Sequence, residues 1–410
     1  MRNRDMSRMT TDSGVLAVVL FVSALVVPSV WSQTVAISGY VKAENIYDTR
    51  QVAQVREGQF HLYPLPDTEA SRTDNLTYAS FQSRIRVTGS GTEALGADLT
   101  GVVEADFFGT ANDYLGQFRL RHAYVQLDWG GEKLLFGQYW SPLFTAAVFP
   151  QTVAFNTGAP FQPFARFGQI RFTIERGGVR LITALSQQRD AFSDIGGNKL
   201  QQQAAIPAGH AHVQVFGASR LVGGGVYVKS IRPTLTSERF TAAAVQGYAM
   251  IESAPFTVRA KATYGADLTD HLMTGGFITV EDGSFESLRV GSAWLDVSWS
   301  AGGPVALGVF GGFLTNMGAG PSVTVLLQDT DGDGIGDVET KATRADNLDR
   351  LWRVAPRATY STGRLRFALE GEVTSALFAS DRDNNYAPVA LDSDEAVTNV
   401  RGHLAVYYFF

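Results

Sequence analysis

The amino-acid sequence predicts an all-β protein, a transmembrane antiparallel β-barrel of about sixteen strands. Apolar and polar residues alternate with a period of two in segments of roughly 10–14 residues along most of the chain. Short glycine-rich turns alternate with long polar loops, and the final segment is an amphipathic strand that ends on Phe410. A barrel whose strands face lipid on one side and water on the other accounts for all three observations.

The composition excludes several classes of protein. The 410 residues include no cysteine, which excludes a disulfide-stapled secreted domain, a thiolate metal site and an acylated lipoprotein anchor. The formal net charge is −6, so the charge gives no reason to expect a nucleic-acid partner. A mean hydropathy of −0.01 is too low for a bundle of membrane helices, but it suits a barrel with one wet face.

The N-terminus has the three parts of a secretory signal peptide. Arg2, Arg4 and Arg8 precede an apolar run over residues 15–27, and Val30 and Ser32 fit the small residues of a cleavage site. We therefore expect residues 1–32 to be removed before Gln33, with residues 33–410 forming the barrel. The alternative is an uncut membrane anchor, for which the run is short.

The alternating segments begin with Thr77–Thr88, in which Arg84 and Arg86 share a face opposite Ile85 and Val87. A soluble β-sandwich would also alternate, but its strands are shorter and its connections do not alternate strictly in length. Short periplasmic turns and long extracellular loops are typical of outer-membrane barrels. Turns are expected near 89–95, 129–132, 177–178, 221–224, 253–255, 300–303 and 361–364, and loops near 48–75, 109–117, 141–166, 189–208, 233–238, 267–285, 316–346 and 378–396.

The last strand places Leu404, Val406, Tyr408 and Phe410 on one face. A terminal phenylalanine on an amphipathic strand resembles the signal that barrel-assembly machinery reads. The alternative, a soluble edge strand, would expose an aggregation-prone edge. The sequence thus predicts a protein of the Gram-negative outer membrane, surrounded by outer-membrane lipid.

Charged residues of the alternating segments would face a water-filled lumen. Basic residues outnumber acidic ones in this inward set, so we expect a preference for small anions such as carboxylates, which guanidinium groups bind through paired donors. The alternative is that these residues only tie the wall together through salt bridges. The candidate pore-lining residues are Arg84, Arg86, Glu104, Asp106, Arg119, Arg121, Arg171, Arg180, Arg353, Arg357 and Arg366.

The facing of residues 117–128 is ambiguous. Arg119 and Arg121 share one face, whereas His122, Tyr124 and Gln126 occupy the other. A β-bulge near Arg121 would turn both groups toward the lumen.

Residues 141–166 form an apolar loop that carries several prolines and no acidic or basic residue before Arg166. An exposed loop of this composition would be a sticky patch. We expect it to fold into the pore as a constriction, and packing across a neighbouring subunit is the alternative. Its aromatic candidates are Phe144, Phe149, Phe155 and Phe161.

Two stretches resemble a known family. Phe118-Arg-Leu-Arg-His-Ala-Tyr-Val-Gln-Leu127 and Leu135-Phe-Gly-Gln-Tyr-Trp-Ser-Pro-Leu-Phe144 are similar to the DcaP-like trimeric porins, and the segments 37–42 and 103–108 also fit. The resemblance implies a sixteen-stranded homotrimer passing small anions, often dicarboxylates. Family members frequently carry an N-terminal coiled-coil segment, which has no counterpart after the expected cleavage site.

The loop 316–346 carries an aspartate-rich stretch. Asp329, Asp331, Asp333, Ile335 and Asp337 occupy positions 1, 3, 5, 7 and 9 of an EF-hand-like loop, and the stretch also resembles thrombospondin type 3 repeats. Position 12 is Thr340 instead of glutamate. A calcium site and a solvated acidic loop tip both remain open, and no cofactor is required.

The predicted function is that of a porin giving passive diffusion of small hydrophilic solutes. An adhesive or structural barrel acting through loops 48–75 and 316–346 is one alternative, and an outer-membrane enzyme is another. His210 and His212 share a strand face, but a third metal ligand is not evident, and the sequence contains no Gly-x-Ser-x-Gly or His-Glu-x-x-His motif. The expectation is therefore a protein that is not an enzyme.

Overall fold

A computed structural model of the chain describes residues 33–55, 60–109, 112–187, 199–320, 322–330, 336 and 338–410. The expected signal peptide, residues 1–32, lies outside these residues and stays a prediction. Sixteen strands form a closed antiparallel barrel, which confirms the predicted fold class. The wall strands are β1 Thr34–Asp48, β2 Arg84–Ala94, β3 Ala97–Asp106, β4 Arg119–Asp128, β5 Glu132–Trp140, β6 Arg166–Arg176, β7 Val179–Gln187, β8 Ala208–Phe216, β9 Arg220–Ile231, β10 Phe240–Ser253, β11 Phe256–Ala266, β12 Phe285–Ser300, β13 Val305–Asn316, β14 Leu348–Thr362, β15 Leu365–Phe378 and β16 Ala396–Phe409.

The barrel closes where the first strand meets the last. β1 pairs with β16 from Tyr40 opposite Phe409 onward, and its other edge pairs with β2. Gly39 and Phe410 exchange two main-chain hydrogen bonds of 3.1 Å. A Cβ atom on Gly39 would lie 2.0 Å from the carbonyl oxygen of Arg84, so glycine is required at this seam.

Short turns join the strands at one end, and long connections join them at the other, as the sequence predicts. Two turn positions are wrong. The expected turn at 89–95 is a strand with a register shift between Gly89 and Thr92, and the chain turns at residues 95–96. The expected turn at 221–224 belongs to β9, where a Cβ on Gly223 would lie 2.7 Å from the ring of Tyr248 and one on Gly224 would lie 3.1 Å from the carbonyl oxygen of Gln246. Those glycines serve close packing within the strand rather than a turn.

The two faces of the wall differ in polarity. Along β16, Leu404 is exposed on the outside, whereas the side chains of Arg401 and His403 are buried on the inside. Leu404 lies directly opposite Leu369 of β15, which is also exposed. A sandwich would bury the apolar face instead, so this polarity identifies a barrel with an apolar outer belt.

Shorter elements lie in the long connections. The helix Lys199–Ala204 and the 3-10 turns Ala70–Arg72, Asn112–Tyr114, Pro142–Phe144 and Thr269–His271 lie there. The short strands are Val52–Val55 with Phe60–Pro64, Asn75–Ala79 with β1, Gly275–Thr279 with Lys341–Arg344 and β12, Leu327–Gln328 with Val338–Glu339, and Asp381–Arg382 with Pro388–Val389. Within the described part of the chain, no helix is long and apolar enough to cross a membrane.

Candidate functional site

Residues 141–165, the infolded loop, lie against inward-facing side chains of distant wall strands. The loop begins after β5, and Ser141 N–H donates to the carbonyl oxygen of Ala165 at 2.9 Å, which closes its base. Lys261 of β11 donates to the carbonyl oxygens of Leu143 and Phe144 at 2.8 and 3.0 Å. Arg166, which the sequence includes in the loop, is the first residue of β6.

The middle of the infolded loop contacts the opposite wall. The carboxylate of Glu370 on β15 accepts the main-chain N–H groups of Val153 and Ala154 at 2.7 and 3.0 Å. Lys42 of β1 donates to the carbonyl oxygen of Val153 at 2.8 Å. The loop therefore crosses the lumen from β5 to the seam of the barrel.

The return path of the loop is held by three further wall residues. Arg353 donates to the carbonyl oxygen of Ala159 at 2.9 Å, and Ser292 donates to that of Phe161 at 3.1 Å. The indole N–H of Trp294 donates to the side-chain oxygen of Gln162 at 2.9 Å. Side-chain donors from strands thus satisfy main-chain acceptors of a loop that has little secondary structure of its own.

The predicted constriction phenylalanines pack the loop rather than line an opening. Phe144, Phe155 and Phe161 are buried, and Phe149 is half-buried. Phe155 lies 4.4 Å from Phe60 between ring centroids. The aromatic side chains therefore form an apolar core inside a polar barrel.

A second segment enters the lumen, and the sequence analysis missed it. Phe60 and Leu62 are buried in the first long connection, and His61 Nδ1 lies 2.6 Å from Glu372 of β15. Arg353 also donates to the carbonyl oxygens of His61 and Leu62. The apolar spacing of Phe60, Leu62 and Pro64 was the available signal, since a polar surface loop does not need it.

A cluster of arginines surrounds two carboxylates on β2, β3 and β4. Arg121 donates to Glu104 and Asp106, in both cases at 2.8 Å, and Arg119 makes a two-point contact with Asp106 at 2.8 and 2.9 Å. The register shifts here: Glu104 faces His122 and Ala105 faces Leu120, so Arg121 is the extra residue of a β-bulge. The bulge predicted near Arg121 is confirmed, and it turns all these side chains inward.

The exposed part of this cluster is cationic. Arg84 and Arg86 flank Glu104 at 3.6 and 3.3 Å, and their side chains are 21% and 34% exposed. Glu104 is 7% exposed and Asp106 is fully covered. Water in the lumen therefore meets guanidinium groups, while the balancing carboxylates lie behind them.

Arg171 and Arg180 border a cavity of about 240 Å³ below the first turn of the infolded loop. Arg171 donates to the side chain of Gln169 at 2.9 Å and lies over the ring of Tyr139. Arg180 pairs with Glu175 at 2.7 Å, and that carboxylate is itself 27% exposed. This end of the lumen therefore carries both signs of charge.

The remaining candidates are arranged differently. Arg353 and Arg357 are buried against the infolded loop and its neighbours, and Arg357 makes a two-point contact with Asp296 at 2.8 and 3.0 Å. Arg366 is exposed near the turn end of β15. The sequence analysis omitted Asp296 from the inward set, and it also omitted two buried acids of β1, Glu44 and Asp48.

Most residues of the expected calcium site lie outside the described residues. Asp329 is described, whereas Asp331, Asp333, Ile335 and Asp337 lie outside the described residues. Among the residues with described positions, no group of three or more acidic or histidine side chains is placed to hold a metal ion. Calcium binding at 329–337 stays a prediction.

A polar cluster connects the seventh and eighth long connections. Asp346 pairs with Lys341 at 2.8 Å and Arg382 at 2.5 Å, and Tyr386 donates to Glu339 at 2.6 Å. Burial alone would raise the pKa of Asp346, but hydrogen bonds from Lys341 and Thr343 and the charge of Arg382 hold it below its usual range. We call these residues the outer latch.

Comparison with known proteins gives matches among solved structures. No model of a known protein family matches the chain, and neither does any curated protein. The outer membrane channel DcaP of Acinetobacter baumannii is similar at 17% identity and a TM-score of 0.71, over 92% of this chain and 97% of that one. An anion-selective porin from Comamonas acidovorans matches at 9% identity and a TM-score of 0.58, over 92% and 100% of the two chains. A trimer form of OmpT, an outer membrane protein of Vibrio cholerae, matches at 11% identity and a TM-score of 0.56, over 92% and 99%.

These likenesses establish the class of fold. The chain has the sixteen-stranded fold of the outer-membrane porins, and the resemblance to DcaP is confirmed at the level of the fold. Sequence identities this low support a shared architecture, and they do not identify the solute.

Proposed function

We propose that the protein is a porin of the Gram-negative outer membrane that passes small hydrophilic solutes and prefers anions such as carboxylates. The observation that supports the anion preference is that the carboxylates are buried behind arginines. Glu104 and Asp106 are covered, whereas Arg84 and Arg86 reach the lumen. In a pore with low-dielectric walls, exposed guanidinium groups attract anions and repel cations.

The dimensions of the barrel support a channel. A sixteen-stranded barrel is wide enough to hold water after its wall side chains are placed. Here the infolded loop and residues 60–64 fill part of that width, against side chains of β1, β11, β12, β14 and β15. Phe155 of the loop also packs on Phe108, next to β3. The proposed solute path runs beside the loop, past the exposed side chains of Arg84 and Arg86 on β2, and the loop acts as the constriction.

The apolar outer belt supports insertion among outer-membrane lipids, and Phe410 at the seam supports recognition by barrel-assembly machinery. A homotrimer is also part of the proposal. Its support is the trimer form recorded for OmpT of Vibrio cholerae, which shares the fold. Mass measurement of the purified protein in detergent would distinguish a trimer from a monomer.

The alternative functions differ in what crosses the barrel. An adhesive barrel acting through loops 48–75 and 316–346 need not pass solute, and an enzyme would turn over a substrate. Liposome swelling separates them: we expect proteoliposomes to swell in small neutral sugars, and to swell faster in a carboxylate solute of equal size. Proteoliposomes that do not swell in any solute would favour the adhesive barrel.

A further inference from the structure

A buried serine, histidine and aspartate form a continuous hydrogen-bonded chain at the base of the infolded loop. Ser141 Oγ lies 2.8 Å from His271 Nε2, and His271 Nδ1 lies 2.9 Å from Asp270 Oδ1. The order of groups is that of the nucleophile, base and acid of serine hydrolases. All three residues are 0–1% exposed, so a substrate has no open path to the hydroxyl of Ser141.

The surroundings of Ser141 oppose a nucleophilic role. Its main-chain N–H already donates to Ala165, and the next residue, Pro142, has no N–H. The two donors that most simply form an oxyanion hole are therefore missing. The hydroxyl also accepts the N–H of Leu143 at 3.3 Å, which caps the turn that starts the loop.

His271 holds both ends of the infolded loop. Its side chain binds Ser141 at the start, and its carbonyl oxygen accepts the N–H of Phe164 at 2.8 Å near the end. A carboxylate accepts hydrogen bonds only, so His271 Nδ1 carries the proton toward Asp270. In the neutral ring, Nε2 then carries a lone pair and accepts a hydrogen bond from the hydroxyl of Ser141.

Asp270 is fixed by other elements of the barrel. Tyr227 of β9 donates to its Oδ2 at 2.6 Å, and Lys229 lies 3.2 Å from its Oδ1. Burial alone would raise the pKa of Asp270, but Lys229 and His271 lower it below its usual range, so it stays a carboxylate. The infolded loop is therefore anchored through a carboxylate that two side chains of the wall strand β9 hold in place.

The connection between β11 and β12, which carries Asp270 and His271, is hydrogen-bonded to the seventh loop, the long connection between β13 and β14. Arg344 donates to the carbonyl oxygens of Thr269 and Met273 at 2.9 and 3.2 Å. Gly275 pairs with Arg344 in a short two-stranded ladder. The hydrogen-bonded path thus runs from the base of the infolded loop toward the seventh loop.

We infer that Asp270 and His271 are positioning residues that set the constriction by holding both ends of the infolded loop through Ser141 and Phe164. The inference rests on the proposed channel function. The two residues touch no solute; they act on the loop residues that border the cavity next to Arg171.

Single-channel recording on the full-length protein tests the role in conduction. We expect His271→Gln, Asp270→Asn and Ser141→Ala to increase about tenfold the ratio of time spent in minor current levels to time spent in the main level, because losing one buried hydrogen bond changes an equilibrium by roughly that factor. Ser141→Thr keeps the hydroxyl and should restore wild-type behaviour. The matched control is Ser186→Ala, which removes a 2.9 Å contact with His210 that lies wholly on the wall.

A second readout does not depend on conduction. The chain has no cysteine, so Ala147→Cys, at an exposed position of the infolded loop, gives a single thiol reporter. We expect a maleimide to label it faster in the His271→Gln and Ser141→Ala backgrounds, and at an unchanged rate in the Ser186→Ala background.

Several results would overturn the inference. Wild-type labelling rates in folded His271→Gln and Ser141→Ala proteins would show that these residues do not hold the loop, and a wild-type ratio of times in the current levels would exclude control of the constriction. Labelling of Ser141 by a fluorophosphonate would show a reactive nucleophile instead. A barrel that conducts nothing while its labelling rates change would contradict the proposed channel but leave the loop anchoring intact.

Discussion

Glu370 accepts the main-chain N–H of Val153 at 2.7 Å across the lumen, and Ala154 donates to the other carboxylate oxygen. This side chain is buried on β15, and the loop it binds starts after β5. A single carboxylate therefore satisfies two main-chain donors at the point where the infolded loop turns back.

Replacing Glu370 by alanine should loosen this contact. Two buried N–H groups would lose their acceptor, and each buried donor left unsatisfied costs about 1–3 kcal/mol, so we expect the free energy of unfolding to fall by about 2 kcal/mol or more. The midpoint of urea unfolding in detergent measures it. Glu339→Ala in the outer latch is the control for loss of one glutamate, and an equal, small change in both variants would contradict the prediction.

Arg121→Met tests the buried arginine cluster. The change leaves Glu104 and Asp106 with fewer donors inside the wall, and breaking a buried ion pair costs about 3–5 kcal/mol. Arg366→Met, on an exposed arginine of the same barrel, should change the free energy of unfolding by less than about 0.5 kcal/mol. If both variants unfold at the wild-type urea midpoint, the bulge at Arg121 does not depend on these contacts.

The outer latch predicts a pH dependence. The pKa of Asp346 is lowered in the folded protein, so its contribution is fully present above the unfolded value of about 3.9 and is lost as the pH falls further. A spin label on Asn384→Cys should keep its mobility between pH 7 and pH 5 and become mobile below about pH 4. Asp346→Asn should be mobile at pH 7, whereas the control Asp349→Asn should not. Mobility that rises between pH 7 and pH 5 in the wild type would oppose this role for Asp346.

Calcium should protect the loop 316–346 if its aspartates form the EF-hand-like site. Four carboxylates in that spacing attract a divalent cation, and the missing glutamate at position 12 predicts weak binding. We expect millimolar calcium, but not the same concentration of magnesium, to slow protease cleavage in this loop. Asp331→Asn should remove the effect, and cleavage rates indifferent to calcium would indicate a solvated loop tip.

Much of the fold follows from local pattern. The period of two in segments such as β15 and β16 specifies which residues face lipid, since a strand between lipid and water must alternate. Arg119 and Tyr124 lie on opposite faces of a regular strand, so the sequence also indicated a β-bulge near Arg121, but only the pairing with β3 shows which residue is the extra one.

Other features depend on closure of the barrel. Glycines of β9 resemble a turn in sequence, yet they lie beside His212 and Tyr248, and that contact exists only once neighbouring strands pair. Asp296 alternates like any inward residue, but its pairing with Arg357 joins two strands far apart in sequence. The entry of Phe60 into the lumen depends on Phe155 and Phe164 being there to meet it. A local pattern can indicate that such residues are buried, but it does not show which distant residues they contact.

The reversal potential of single channels in a potassium chloride gradient tests the central claim most directly. We predict that chloride permeates more readily than potassium, and that Arg84→Gln combined with Arg86→Gln reduces this preference, while the matched lysine pair retains it. A reversal potential of the opposite sign, with potassium more permeant, or a selectivity unaffected by the glutamine pair, would contradict an anion path along the arginines of β2.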